Sequence, residues 1–246
     1  MILLFTDFGR DGPYLAQMQS AIRKQGYEGE VLPLFSNAPV FNPLASAHLL
    51  GAYHEDFEEE ESVFLCVIDP GVGSDRKPVA IKACGQWFVG PDNGLFSEVI
   101  RKDPKSVIYE INWRAEKLSA SFHGRDLFAP IAAKLAMKTE QFEEFLAPKE
   151  KLFSIPENTG EYGLAEVIYI DHYGNAITGL RAGGDLDAVE VNGQRFDLLR
   201  TFSDVSPGKP LAYMNANGLI EISVNQGRAD HHFNLTIGSH VTTLVG

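Results

Sequence analysis

The stretch "CVIDPGVGSDR" (66–76) ends an apolar run in a carboxylate, Asp69. It turns at once on Pro70-Gly71 and returns an arginine, Arg76, seven positions on. An apolar strand aims such an acid, and a glycine-rich turn lets the guanidinium fold back towards it. A guanidinium beside a carboxylate favours its ionised form and fixes its orientation. Three further polar clusters share this build: "TDFG" (6–9), "GPDNG" (90–94) and "SFHGRD" (121–126). In each, an acid or a histidine sits beside glycine, so that backbone can approach a ligand closely. Taken singly, each has a plain structural reading. Asp7 can cap a turn, Asp92-Asn93 can form an Asx turn, and His123 can be a hydrogen-bonded core histidine. Four of them at the carboxyl ends of strands in one sheet, where open α/β proteins bind ligands, point instead to a site.

The elements that must hold these clusters alternate in the first half of the chain. "ILLF" (2–5) reads as a buried strand. A helix follows, opened by Pro13, carried by Tyr14, Leu15, Met18, Ala21 and Ile22 at helical spacing, and ended by Gly26. "EVLPLF" (30–35) is strand-like despite Pro33. Asn42-Pro43 opens a short helix reaching about Tyr53. "SVFLCVID" (62–69) is the strongest buried strand, and "VAIKACGQWFV" (79–89) reads as a hairpin about Gly85-Gln86. "GLFSEVIRK" and "RDLFAPIAAKLAMK" are helical, with the strand "SVIYEI" between them. This alternation predicts an α/β domain over 1–150 with a mainly parallel sheet. The composition shifts within "APKEKLFSIPENTGEY", and a linker is expected over 151–160. The remainder, 161–246, is nearly all strand: "GLAEVIYID", "AVEVNG", "QRFDLLRTF", "LAYMNANGLIEISVN", "HFNLTIG" and "HVTTLVG". Asn192-Gly193 and Asn217-Gly218 read as hairpin turn pairs. A smaller all-β domain, barrel or sandwich, is expected there. No internal repeat or low-complexity tract is visible.

Composition narrows the partners. The 246 residues suffice for one large domain or two modest ones, and 44% hydrophobic content can fill a core. A formal net charge of −12 repels phosphate backbones, so nucleic acid is not an expected partner and a cationic ligand suits better. "EDFEEEE" (55–61) reads as solvated surface. Cys66 and Cys84 belong to no Cys-x-x-Cys pair and read as reduced thiols. No apolar stretch approaches the ~18–20 residues of a membrane span, and "ILLF" is too short for a secretory leader. No membrane partner is expected, and the cytoplasm is the expected location. "DFG", "VAIK" and "HGRD" carry protein-kinase lettering in the wrong order, and no glycine-rich loop precedes "VAIK". There is no Walker A loop, G-x-G-x-x-G, H-E-x-x-H or G-x-S-x-G. "HH" at 231–232 sits among expected strands, where adjacent side chains point to opposite faces, and reads as surface rather than metal site.

Taken in order, "TDFG…GPYLAQM", "VIDPGVGSDR", "FVGPDNGLF", "FHGRDLFAP", "DHYGNAIT" and "NANGLIEI" resemble the S-adenosylmethionine hydroxide adenosyltransferases. These are water-using relatives of fluorinating and chlorinating enzymes that act on the same substrate. The resemblance covers nearly the whole chain. It implies an α/β N-terminal domain, a β-rich C-terminal domain, and the reaction of water with S-adenosylmethionine to give adenosine and methionine. It implies no metal or organic cofactor, and a homotrimer with sites at the subunit boundaries. The sulfonium of this substrate departs as a neutral thioether and needs no acid. The protein must supply a nucleophile held in line with the carbon–sulfur bond, ~3–3.5 Å away.

The resemblance also implies residue roles. Asp69, Arg76 and His123 match the trio that holds and polarises the water, with His123 either accepting a proton or orienting the water. Asp7 matches the acid that grips the ribose hydroxyls, a task suited to a two-oxygen acceptor. Phe41 and Tyr173 match aromatic pocket positions, which core packing explains equally. Asp171 matches the acid near the methionine amino group, and Asn175 the adenine-reading asparagine. Glu221 and Val224 match positions whose backbone lies near the adenine, and Phe202 is a further candidate of that kind. Two departures stand out: Ala216 takes the place of the serine in "NSxG", which the resemblance sets at the substrate's methionine end and whose hydrogen bond an alanine cannot make, and residues 32–38 lack a histidine common there. Two other functions remain in view. A halogenase is disfavoured, since those relatives carry aromatics where this chain has Asp69 and His123, and a carboxylate repels halide. A module that holds adenosine or S-adenosylmethionine without turnover is opposed by the complete trio.

Overall fold

A computed structural model describes residues 1–57, 61–138, 141–152 and 162–246. The chain divides into two units, Met1–Pro156 and Glu157–Gly246. Positions 153–160 of the expected linker, and 58–60 of the acidic run, lie outside the described residues.

The first unit is built on a seven-stranded sheet. In chain order its strands are β1 (Ile2–Thr6), β2 (Val31–Phe35), β3 (Val63–Val67), β4 (Pro78–Ala83), β5 (Gln86–Pro91), β6 (Val107–Ile111) and β7 (Leu146–Lys149). Across the sheet they run β2-β1-β3-β5-β4-β6-β7. The first four are mutually parallel, and the pairings from β5 to β7 are antiparallel. Five strands therefore point one way, with β4 and β7 against them. Helices α1 (Tyr14–Lys24), α2 (Pro43–Tyr53), α3 (Ser97–Lys102) and α4 (Ala129–Ala136) pack on it. Alternation along the strands decides what each face meets. Ile2, Leu4, Val63 and Leu65 share a core with Met18 and Ile22 of α1 and with α4. Phe5, one position out of phase, stacks edge-on against Phe35, which in turn meets Tyr53 of α2.

Local chemistry explains several boundaries. Pro33 is tolerated because β2 is an edge strand whose register with β1 slips between Leu4 and Phe5. Asn42 caps α2 by accepting from the Ala45 N–H at 3.0 Å. The 79–89 hairpin turns on Cys84-Gly85 rather than Gly85-Gln86. Both have positive φ, as a type I′ turn requires, and Gln86 already pairs with Ala83. Both cysteines are free thiols.

The second unit holds β8 (Gly163–Ile170), β9 (Ala176–Arg181), β10 (Leu186–Val191), β11 (Gln194–Asp197), β12 (Pro210–Met214), β13 (Leu219–Val224), helix α5 (Ala229–Phe233) and β14 (Thr242–Val245). They form two antiparallel sheets, β12-β13-β9-β8 and β11-β10-β14, around one apolar core. The Asn192-Gly193 turn joins β10 to β11 as expected. The Asn217-Gly218 pair is instead part of a three-residue turn, Ala216 to Gly218, closed by bonds between Asn215 and Leu219. "HFNLTIG" is not a strand. Its first residues complete α5, which Asn234 ends at φ 55°. His231 and His232 thus lie on a helix, both exposed. No described helix is long and apolar enough to cross a membrane. Among the described residues no group of His, Cys, Asp and Glu could hold a metal ion.

Candidate active site

The strand order reverses at β1, whose neighbours are β2 on one side and β3 on the other. The crevice beyond the carboxyl ends of such a strand pair is the natural binding place of an open α/β sheet. Asp7 follows β1 and Asp69 follows β3, so both carboxylates stand at this switch point. They line a cavity of about 320 Å³ together with His123. That volume falls in the range of small-molecule sites.

Asp69 and Arg76 meet as a fork. Arg76 Nε donates to Oδ1 at 2.9 Å, and Nη2 donates to Oδ2. Their side chains are only 5% and 10% exposed, which removes most solvent screening from the pair. The same Nη2 lies 2.8 Å from Nδ1 of His123. A guanidinium has donors only, so Nδ1 accepts and the ring proton sits on Nε2. Burial, followed by the Arg76 charge, holds the His123 pKa below its usual value, which agrees with a neutral ring. The three side chains form one chain with arginine at its centre.

The backbone holds this arrangement from several sides. Asn93 Nδ2 donates to the Ile68 carbonyl at 2.9 Å, fixing the end of β3 just before Asp69. Gly73 lies at φ 81°, and a Cβ there would stand 2.8 Å from the Ala120 carbonyl oxygen, so only glycine lets the two loops meet. The Arg76 guanidinium also sits 5.2 Å over the Phe128 ring. His123 opens a π-helical turn, Gly124 to Phe128, ahead of α4. Such turns are frequent at functional sites because they re-aim side chains. Asp92, by contrast, does not line the cavity. Its carboxylate is buried 3.5 Å from Lys149, a structural role.

Asp7 accepts from the Phe41 N–H at 3.0 Å. Burial raises its pKa, the Phe41 bond opposes this, and the Asp69 charge adds to the rise. Phe41 is 74% exposed and sits at φ 56°, an uncommon region for an aromatic residue. Phe8, Tyr14 and Phe122, which are not among the site residues expected from sequence, line the cavity and pack on one another at 5.5 to 5.8 Å. In the sequence Tyr14 stands out only as a helical position, yet it is exposed.

In the second unit the sequence-predicted residues gather around the β8–β9 turn and β13. Asp171 accepts from the backbone N–H and from Nδ2 of Asn175, both at 2.9 Å. Tyr173, between the two in sequence, is 72% exposed. Gly174 at φ 85° leaves room for Asp230, whose Oδ1 would stand 2.5 Å from a Cβ. Arg228 donates to Asp230 and to the His172 carbonyl, clamping this turn. Glu221 and Val224 lie buried on β13, and Phe202 lies on a short turn against Tyr213.

Comparison with known proteins identifies the family. Residues 2–145 match the SAM hydroxide adenosyltransferase N-terminal domain, and 165–242 its C-terminal domain. A protein from Thermus thermophilus named (R)-S-adenosyl-L-methionine hydrolase is 36% identical, with 99% of each chain covered. One of the same name from Salinispora tropica is 33% identical over 75% of this chain and 76% of its own. Among solved structures, an uncharacterized conserved protein from Thermotoga maritima superposes with a TM-score of 0.85 at 29% identity, covering 99% of both chains. Two domain matches in order, spanning most of the chain, and a full-length relative show that it belongs to the SAM hydroxide adenosyltransferase family.

Proposed function

We propose that this protein hydrolyses S-adenosyl-L-methionine to adenosine and L-methionine, using water held by Asp69, Arg76 and His123. The observation that carries the reading is the connected trio at a cavity that also contains a second carboxylate. Two carboxylates against one guanidinium favour a cation, and the sulfonium substrate is one. The relatives' names specify the (R) epimer at sulfur, and we extend that choice to this chain.

Each group then has a task. Arg76 orients Asp69 and keeps His123 neutral. His123 steers the water through Nε2–H. Asp69 has lone pairs left on both oxygens and is the acceptor for the water's hydrogen. Attack at the 5′ carbon forms the carbon–oxygen bond as the carbon–sulfur bond breaks. The sulfur leaves as the neutral thioether of methionine, and the proton passes by Asp69 to solvent. Asp7 grips the ribose hydroxyls beside Phe41. Asp171 holds the methionine amino group, and Asn175 reads the adenine near Tyr173, Phe202 and the backbone of Glu221 and Val224.

The reading includes assembly as a homotrimer in the cytoplasm, with the N-terminal unit of one chain and the C-terminal unit of its neighbour sharing each site. The exposed Phe41 and Tyr173, one in each unit, support it, because aromatic rings of a closed site would otherwise face water.

The test is an incubation with each sulfur epimer in ¹⁸O-water, with products separated by chromatography. Adenosine labelled at its 5′ oxygen is expected, faster from the (R) epimer. Unlabelled adenosine, or 5′-chloro-5′-deoxyadenosine formed in chloride, would refute the proposal.

A further inference from the structure

β13 turns Ile220, Ile222 and Val224 into the core of the C-terminal unit. Glu221 and Ser223 therefore face the other way, yet both are buried. A carboxylate so placed must be given donors. Tyr213, directly across on β12, donates its hydroxyl to Oε1. Asn215 Nδ2 donates to Oε2 at 3.1 Å, and Ser223 Oγ stands 3.5 Å from Oε1. Burial, ahead of the charge of Asp171, pushes the Glu221 carboxyl up despite these donors.

Two of the donors have a second task. The Tyr213 ring packs on the Phe202 ring, centroids 5.1 Å apart. The Phe202 backbone is held separately, its carbonyl accepting from Asn225 Nδ2 at 3.1 Å. The contact of the Phe202 ring with Tyr213 is thus separate from the hold on its backbone. Asn215 is bound at both ends of its amide. Its Oδ1 accepts from the N–H groups of Asn217 and Leu219, at 3.0 and 3.1 Å, while its Nδ2 holds Glu221. One side chain therefore ties the 215–218 turn to the buried carboxylate.

We propose that the Glu221 side chain, acting through Tyr213 and Asn215, is the positioning element that sets the Phe202 ring and the 215–218 turn around the substrate. This rests on the hydrolase reading, in which the Glu221 backbone lies near the adenine. The side chain touches no reacting atom. It fixes the binding wall, so its loss is felt in affinity and not in the chemical step.

Tyr213→Phe keeps the ring and removes only the hydroxyl. The KM for S-adenosylmethionine and the Kd for adenosine, by calorimetry, are expected to rise about tenfold, with kcat changed by no more than about twofold. In a Phe202→Leu background the same substitution should add little, because its effect passes through that ring. Asn215→Asp sets carboxylate against carboxylate and should weaken binding further. Combined with Glu221→Gln, the amide and the carboxylate exchange places, the hydrogen bond re-forms in reverse, and affinity should recover. Circular dichroism establishes folding, and if Tyr213→Phe fails to fold, the exchange pair decides. Unchanged KM and Kd in Tyr213→Phe, or no recovery in the exchange pair, overturns the inference while wild-type hydrolysis stands. A wild type that neither binds adenosine nor hydrolyses the substrate overturns the hydrolase reading, and this inference with it.

Discussion

Replacing Arg76 with lysine keeps the charge and removes the geometry. Arg76 reaches three acceptors through two nitrogens: both oxygens of Asp69 and Nδ1 of His123. An ammonium is a point donor without the planar fork, and from one position it replaces one of these bonds well. Two are lost. A hydrogen bond to a charged group contributes about 1.5–3 kcal/mol. If the loss is felt wholly in the transition state, the barrier rises by about 3–6 kcal/mol, or about 10²–10⁴-fold in rate at 1.36 kcal/mol per decade. Water can enter the space the guanidinium leaves, so the lower end, about 10², is expected for kcat. KM should move far less, because Arg76 faces the nucleophile and not the bound cation. The assay is steady-state adenosine formation at saturating substrate, with folding checked by circular dichroism. A folded Arg76→Lys protein with kcat within roughly threefold of wild type would refute the claim that the guanidinium organises the water.

Two further outcomes follow from the same geometry. Burial and Arg76 hold the His123 pKa below its ordinary 6.5, so the unfolded chain binds this proton before the folded one does. Activity and the stability contributed by the neutral ring should both be present above pH 6.5 and fall as pH drops through the folded value. A rate profile and melting curves check this, and a rate that rises towards acid refutes it. For the assembly, Asp69→Ala and Asn175→Ala should each be nearly inactive alone. Refolded together as mixed trimers they should regain activity, which subunit exchange without recovery would exclude.

What the sequence reveals follows from how local each feature is. β3 is legible because a strand buried on both faces leaves an unbroken apolar run, and the Pro70-Gly71 turn after it admits few conformations. The Asp69–Arg76 pair is legible for the same reason, lying within one turn. β9 is hidden by Gly179, a residue that weakens strand patterns. A Cβ there would stand 2.6 Å from the Leu164 Cβ on β8, so the glycine answers a tertiary demand. The strand expected in "HFNLTIG" fails because an alternating pattern of seven residues does not reveal that Asn234 takes a left-handed conformation. The contact of Arg76 with His123 joins residues 47 apart and leaves no local trace. Nor do the donors to Glu221, which become visible only once the register of β12 on β13 is known.

The charge flow of the proposed reaction gives each acid a different weight. The substrate enters with its positive charge on sulfur, and as water attacks, that charge moves onto the attacking oxygen. Only contacts that strengthen during this shift accelerate the reaction. Asp7, which the proposal sets on the ribose hydroxyls, would meet much the same charge before and after, so its expected contribution is to binding. Asp69 stands beside the oxygen that becomes positive, and its attraction grows along the path, within a pocket where solvent screens little. The hydrogen bond from His123 Nε2–H weakens as the same oxygen gains charge, so the imidazole aligns the ground state and then yields. An imidazolium in that place would oppose the charge outright. Arg76 prevents this by occupying Nδ1 as a donor, and being fixed it cannot follow the moving charge. In the proposed reaction the trio is one acceptor, one steering contact and one brace, which is why the lysine replacement, with charge intact, is the substitution that separates geometry from electrostatics.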